Sequence, residues 1–313
     1  MDAHDRKIVL ITRRTQLEEL IIKYQTLDQA RFYMAQLGMD IHEYEMTHHN
    51  YQITKASIIG MLEKWGRYQL LDRTYLPNFI FGANDIVMTL GQDGLVANVL
   101  KYLDGQPLIG INPDPSQYDG VLLPFLSVDV DKILPEVAND HRDCENISMA
   151  KASLSDGQEL YAVNDLFIGP KTHTSARYIL SIDGEEEAQS SSGIIVSTGL
   201  GSTGWMKSIK SGSMGIAKAF GLTSEDNTKD ISDGMRWDVP LLQFAVREPF
   251  PSRHSSVSIV AGNIYPSVHL KITSQMADYG VIFSDGIEDD FLEFRTGVTA
   301  EISIADRVGR LVV

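Results

Sequence analysis

With 313 residues, 43% of them hydrophobic and 22% charged, the chain is long enough for two domains and a sizeable core. Its formal net charge of −15 excludes a general nucleic-acid surface, which needs clustered Lys and Arg to displace counterions, although local N–H groups and cations can still hold an anionic nucleotide. The single cysteine, Cys144, excludes an intramolecular disulfide and a cysteine-cluster zinc site.

The stretch Lys7-Ile-Val-Leu-Ile-Thr12 has the continuous apolar character of a buried parallel strand, and 17–24 follows with helical spacing. Residues 29–37 continue as helix to a stop at Gly38, and 40–46 read as a second strand. The region 47–81 is ambiguous: Ile58, Ile59, Leu62 and Trp65 fit a helix face with Trp65 as packing, and His48-His49 reads as an exposed loop. Residues 86–90 are a short apolar run with β-branched members, and Leu95, Val99, Leu100 and Leu103 mark one face of a helix. Another short strand, 107–112, ends in the stiff turn Asn112-Pro-Asp-Pro115. This alternation predicts an α/β domain with a Rossmann-like parallel sheet over 1–148. Ligands of such sheets gather beyond the carboxyl ends of the strands, so the turns 91–94 and 112–114 are expected to share one rim and one ligand.

From about Met149 the pattern changes to short strand candidates at 159–168, 176–182, 193–197, 244–247, 256–261 and 268–273, which predicts a β-rich domain over 149–313. Asp183-Gly184 is a hairpin signal, the run Glu185 to Glu187 reads as a solvated loop, and 210–233, rich in Gly, Ser and charge, reads as a mobile segment. Asp285-Gly286 marks another turn, after which the last strands either finish the β domain or return to the first.

Three stretches carry polar groups where a plain fold would not need them. Asp93 sits between Gly91 and Gly94, which permit a close approach of ligand to main chain, ahead of a helix whose first N–H groups suit a phosphate. Its other reading is a plain N-cap. Asn164-Asp165 interrupts the apolar frame Tyr161 to Ile168; an Asn amide suits an adenine edge and a carboxylate accepts from ribose hydroxyls, while a simple turn pair is the alternative. The strand 194–197 opens into a Gly/Ser/Thr loop ending at Trp205, where small residues admit a nucleotide, Ser202 and Thr203 offer hydroxyls and the indole can stack on a base.

In order and spacing these stretches resemble the NAD kinase family, which shares a superfamily with the diacylglycerol and sphingosine kinases. The family's Gly-Gly-Asp-Gly-Thr motif is similar to Gly91-Gln92-Asp93-Gly94-Leu95, its Asn-Glu pair to Asn164-Asp165, and its Ser-Thr-x-x-Gly-Ser-Thr-Ala-Tyr loop to Ser197-Thr-Gly-Leu-Gly-Ser-Thr-Gly-Trp205. The stretches 109–115, 164–169 and 244–249 look most like the mitochondrial-type branch. The resemblance implies a two-domain NAD kinase architecture with the active site in the cleft between the domains. It implies transfer of a phosphoryl group from ATP, accompanied by Mg²⁺, to the adenosine ribose 2′-hydroxyl of NAD. Asp93 is then the base or orienting acceptor, and Gly91, Gln92 and Gly94 meet the donor phosphates. Asn164 and Asp165 hold the NAD adenosine, and Ser202, Thr203, Gly204 and Trp205 line its pocket. It also implies a homodimer or higher homo-oligomer.

The sequence departs from the family at Gln92 (for Gly), Leu95 (for Thr), Ser192 (for Asp), Leu200 (for a small polar residue) and Trp205 (for Tyr). Two further readings stand beside the kinase: a same-fold kinase for a lipid or sugar hydroxyl, and a nucleotide-binding protein without transfer. The eight histidines show no zinc-ligand spacing, so no protein-held metal is expected. No apolar run spans a bilayer, and the N-terminus has neither signal-peptide nor transit-peptide character, so a cytoplasmic location without membrane or nucleic-acid partners is expected.

Overall fold

A computed structural model describes residues 5–222 and 234–313. The chain divides into two compact units, Met1–Glu145 with Arg310–Val313, and Asn146–Gly309.

The first unit grows from β1 (Ile8–Thr12), whose five side chains are all buried. Such a strand needs cover on both faces, which a parallel sheet with helical crossovers supplies. Helices α1 (Gln16–Tyr24), α2 (Leu27–Gln36) and α3 (His42–Trp65) lead to β2 (Tyr68–Asp72), which lies parallel to β1 on one side. On the other side β1 pairs in parallel with β3 (Ile86–Leu90), which pairs with β4 (Pro107–Ile111). Helix α4 (Asp93–Leu100) connects β3 to β4, and α5 (Val130–Ala138) follows. One core forms where Ile8, Leu10, Met88 and Ile109 of the sheet meet Ile58 and Leu62 of α3 and Ile133 and Leu134 of α5. The last residues of the chain belong to this unit, with Arg310 and Leu311 parallel to Pro107 and Leu108 of β4.

The second strand of the sheet is therefore 68–72, and the stretch 40–46 expected as a strand instead leads into α3, which starts at His42. Asp40 Oδ1 accepts from the His42 N–H at 2.8 Å, and Glu43 and Glu45 complement the helix dipole in the first turn. Ile41, Tyr44 and Met46 are not fully buried, so no sheet face selects an extended chain there. His48-His49 lies in the same helix, not in a loop, and His48 Nδ1 is 2.8 Å from Thr15 Oγ1. Trp65 packs on the core as expected, and its indole N–H donates to the Arg6 carbonyl.

The second unit consists of two antiparallel sheets. Strands β5 (Cys144–Leu154), most of which lies in this unit, β6 (Glu159–Ala162), β8 (Ala176–Ile182), β9 (Glu185–Ser191), β13 (Leu270–Ser274) and β16 (Thr299–Val312) form one, in the order β16-β13-β8-β9 with β5 on β16 and β6 on β5. Strands β7 (Asp165–Pro170), β10 (Ile194–Ser197), β11 (Leu242–Val246), β12 (Ala261–Ile264), β14 (Gly280–Ser284) and β15 (Ile287–Glu293) form the other, in the order β12-β11-β10-β7-β14-β15. Alternation divides β7: Leu166 and Ile168 enter the core between the sheets, while Phe167 faces Met206 of α6 (Trp205–Ala219). Asp183-Gly184 and Asp285-Gly286 both have positive φ, at 52° and 83° and at 55° and 71°, as two-residue hairpin turns require.

Four expectations for this unit need correction. The strand expected over 159–168 breaks into β6 and β7 at Val163-Asn164. Glu185 to Glu187 is the start of β9, and Glu187 is buried, its carboxylate accepting from Ser258 N, Ile259 N and Gln189 Nε2. Those bonds take N–H groups a ladder would have used, so the strand expected at 256–261 begins only at Ala261. Of 210–233, the first residues continue α6 to Ala219; 223–233 lie outside the described residues. No described helix is long and apolar enough to cross a membrane.

Candidate functional site

In the first unit the chain leaves β1 toward β2 and leaves β3 in the opposite direction toward β4. The crevice between the carboxyl ends of β1 and β3 is thus the topological switch point of the sheet, where open α/β folds place ligands. A pocket opens there. It is lined by Arg13 and Arg14 after β1, Gly91 and Gln92 after β3, Asp114 after β4, and Tyr51 of α3. The two turns expected on one rim do line one pocket. Tyr51 joins β1 and β3: its hydroxyl accepts from Arg13 N and donates to the Leu90 carbonyl, each at 3.2 Å, and burial pushes its pKa up to about 12.

Asp93 is the first residue of α4, and Gln92 holds the N-cap position without a side-chain cap bond, so the plain N-cap reading of Asp93 does not hold. Asp93 Oδ1 instead accepts from the Leu122 N–H at 2.7 Å, and Oδ2 has no hydrogen-bond partner among the described residues. The loop it grips lies against β4, because a Cβ on Gly110 would stand 2.1 Å from the Leu122 carbonyl oxygen. Gly91 is closely packed by side chains: a Cβ there would meet Leu95 Cδ2 at 2.8 Å and Arg13 Cδ at 3.4 Å. Gly94 is exposed, with the Gln92 amide nitrogen 3.8 Å from its Cβ position, and is not part of the pocket lining. Leu95 is buried core.

In the second unit Asn164 and Asp165 open β7, and Asp165 faces Ser197 across the ladder to β10. The two motifs interlock through main chain: Thr198 N donates to the Asn164 carbonyl at 2.9 Å, and a Cβ on Gly201 would stand 2.2 Å from that oxygen. The Asn164 amide has no hydrogen-bond partner among the described residues. The Asp165 carboxyl is raised to about 7 by burial, against a hydrogen bond from Ser197 that lowers it, with the Asp285 charge adding to the rise. Its Oδ1 is buried without a partner.

The loop glycines serve protein packing as much as any ligand: Gly199 lies against the Arg236 carbonyl, as Gly201 does against Asn164. Ser202 is buried, donating to the Gly199 carbonyl at 2.6 Å and accepting from Met235 N at 2.8 Å, so its hydroxyl ties the loop to the main chain at Met235 rather than being offered to a phosphate or ribose. Thr203 and Gly204 are exposed. Trp205 starts α6 with its indole parallel to Phe167 at 6.0 Å and under the Arg247 guanidinium at 5.5 Å. These line a separate aromatic pocket with Lys171 and Phe283, and neither Asn164 nor Asp165 belongs to its lining.

No group of three or more His, Cys, Asp or Glu among the described residues is placed to hold a metal ion.

No family model and no curated protein matches the chain. Solved structures do. Yeast NADH kinase complexed with NADH matches with a TM-score of 0.55 at 15% identity, over 98% of this chain and 83% of that one. An NAD kinase from Archaeoglobus fulgidus in complex with ATP matches with a TM-score of 0.53 at 15% identity, over 98% of this chain and 93% of that one. The fold is that of the NAD kinases. At 15% identity the likeness carries the architecture, and the chemistry rests on the residues.

Sequence reasoning missed Arg13, Arg14 and Tyr51. The arginine pair had a readable signal, two consecutive cations directly after the first strand of an α/β fold; Tyr51 had none, because its role depends on α3 lying across the strand ends.

Proposed function

We propose that the chain is an ATP-dependent NAD kinase, transferring the terminal phosphoryl group of ATP to the adenosine ribose 2′-hydroxyl of NAD to give NADP and ADP. The observation that carries this reading is Asp93. It stands on the first turn of α4, at the carboxyl end of β3, in a fold shared with two solved kinases of this class, with one carboxylate oxygen uncommitted.

The roles follow from chemistry. Asp93 Oδ2 takes the proton of the 2′-hydroxyl as that oxygen attacks the terminal phosphorus, and ADP leaves with the electrons of the broken P–O bond. Oδ1, held by Leu122, fixes the direction of the carboxylate. Gly91 and Gln92 border the donor phosphates, with Gly94 beside them. Asn164 offers a free amide to the adenine edge, Asp165 takes a ribose hydroxyl, and Thr203, Gly204 and Trp205 border the adenosine; Ser202 serves by holding the loop. Mg²⁺ accompanies the donor phosphates. A homodimer or higher homo-oligomer in the cytoplasm belongs to the same reading, and light scattering measures its size.

The test is NADP formation by purified wild type with NAD, ATP and Mg²⁺, beside Asp93→Asn. Product that disappears in the variant supports the kinase and its carboxylate together. The Leu122 bond also gives Asp93 a purely structural use. A folded wild type that binds NAD and forms no NADP would leave only that use, and would identify a nucleotide-binding protein.

A further inference from the structure

We propose that Arg13 and Arg14 form a phosphate-chain subsite at the switch-point pocket, taking over charge stabilisation that the Gly91-Gln92-Asp93-Gly94-Leu95 turn does not supply. The inference deepens the kinase reading above and rests on it for the identity of the donor.

Both arginines line the pocket, and neither has a carboxylate partner among the described residues, in a chain of net charge −15. Arg13 does not lie back along its own strand. Its Cδ passes 3.4 Å from the Cβ position of Gly91, so the side chain reaches from the β1 turn over the β3 turn. Its Nε donates to the Arg14 carbonyl at 3.2 Å, and its main-chain N–H is fixed by the Tyr51 hydroxyl at 3.2 Å. Arg13 is therefore held in place before any ligand arrives, which lowers the entropy cost of binding.

The one carboxylate lining the pocket is not aimed at the arginines. Asp114 Oδ1 accepts from Ser116 N at 3.0 Å and Ser116 Oγ at 2.5 Å, and Oδ2 accepts from Asn50 Nδ2 at 3.1 Å. With Oδ1 engaged in its own turn and Oδ2 on Asn50 of α3, Asp114 forms no ion pair with either guanidinium. Two adjacent forks of N–H donors suit several phosphate oxygens in a row, more than one carboxylate.

The turn itself explains why such cations are needed. Gln92 lays its amide over Gly94 where main chain would meet phosphate, and Leu95 is buried, packed under Gly91 without a hydroxyl to offer. The ligand class is a linear phosphate chain, supplied either by a nucleoside triphosphate or by an inorganic oligophosphate.

The experiment is calorimetric titration of sodium tripolyphosphate into wild type, Arg14→Ala and Arg13→Ala/Arg14→Ala, with steady-state KM values for ATP and NAD. The double variant is expected to lose about 30-fold in tripolyphosphate affinity and to raise KM for ATP about 10-fold, with KM for NAD within about 2-fold of wild type. Arg14 is exposed, so Arg14→Ala keeps the test valid if the double variant fails to fold; it should show part of the same loss. Tripolyphosphate binding that needs the arginines, in a protein that forms no NADP, supports the subsite while the kinase reading fails. NADP formation with KM for ATP unchanged in the folded double variant, or unaltered tripolyphosphate affinity, overturns the subsite while the kinase reading stands. Phosphoryl transfer to NAD from ATP alone, or from the inorganic chain as well, separates the two sources, and both support it.

Discussion

Asp285 Oδ1 accepts a hydrogen bond from the main-chain N–H of Asn164 at 2.6 Å, and the same carboxylate takes the N–H of Val163 at 3.1 Å and of Asp165 at 3.3 Å. A hairpin turn thus holds the break between β6 and β7 in shape, and with it the direction of the free Asn164 amide. Asp285→Ala removes the acceptor from all three donors and should cost about 3 kcal/mol, as losses of charge-assisted bonds do. Asp285→Asn keeps an acceptor oxygen and tolerates the positive φ of 55°, and should cost about 1 kcal/mol. Urea unfolding checks both. NAD affinity measured on folded Asp285→Asn should fall, because Asn164 is aimed through this contact.

Asp165 ties stability to pH. Its carboxyl is raised from an ordinary 3.8 to about 7, mainly by burial, so the folded state keeps a proton that the unfolded chain has already released. The unfolded state binds fewer protons in that window, and stability therefore falls as pH rises from about 4 to about 7. Three pH units at about 1.4 kcal/mol each put the loss on the order of 4 kcal/mol. Below about pH 4 both states are protonated and the loss is absent; above about pH 7 it is constant. Asp165→Asn should flatten this part of the profile and be more stable than wild type at pH 8. Parallel wild-type and variant curves between pH 4 and 8 would refute the assignment.

The loop glycines separate by what stands behind them. A Cβ on Gly201 would lie 2.2 Å from the Asn164 carbonyl oxygen, so Gly201→Ala must push two main-chain segments apart and should cost about 2–3 kcal/mol. At Gly204 the nearest such atom is 3.4 Å away and the residue is exposed; Gly204→Ala should stay within about 0.5 kcal/mol of wild type. Thermal unfolding of the two variants checks the contrast. If Gly204→Ala weakens NAD binding without touching stability, the space at Gly204 belongs to the ligand.

What the sequence showed and what it hid follow from range. The βα turns were legible because a continuous apolar strand, a small-residue turn and a periodic helix are local patterns, and the switch-point rim followed from them. The start of α3 was not. The stretch 40–46 carries too few apolar residues to display a period, and its helical state was decided by the Asp40 carboxylate accepting from His42 N and by the burial of Ile58 and Leu62 about three and four turns beyond Met46. Glu187 hid for a different reason: a buried carboxylate serving main chain some 70 residues away has the same letter as a solvated one. Ser202 illustrates the limit of motif reading, since its hydroxyl is spent on Gly199 within the loop and on Met235, 33 residues further along the chain.

Asp93 has two uses that substitutions can separate. Asp93→Ala deprives Leu122 N of its acceptor and should destabilise the loop on β4 by about 1.5–3 kcal/mol, the worth of a bond to a charged group. Asp93→Asn keeps an oxygen for Leu122 N and should lose less than about 1 kcal/mol, while surrendering the ability to take a proton. Turnover should fall about 10²–10⁴-fold in Asp93→Asn, the range that general bases contribute, with KM for NAD little changed. The reading requires the two effects to come apart, a near-native unfolding curve beside a collapsed kcat. If Asp93→Asn kept its turnover while Asp93→Ala lost both stability and turnover, the carboxylate would be a clasp for the Leu122 loop, and the proton of the 2′-hydroxyl would leave by another route.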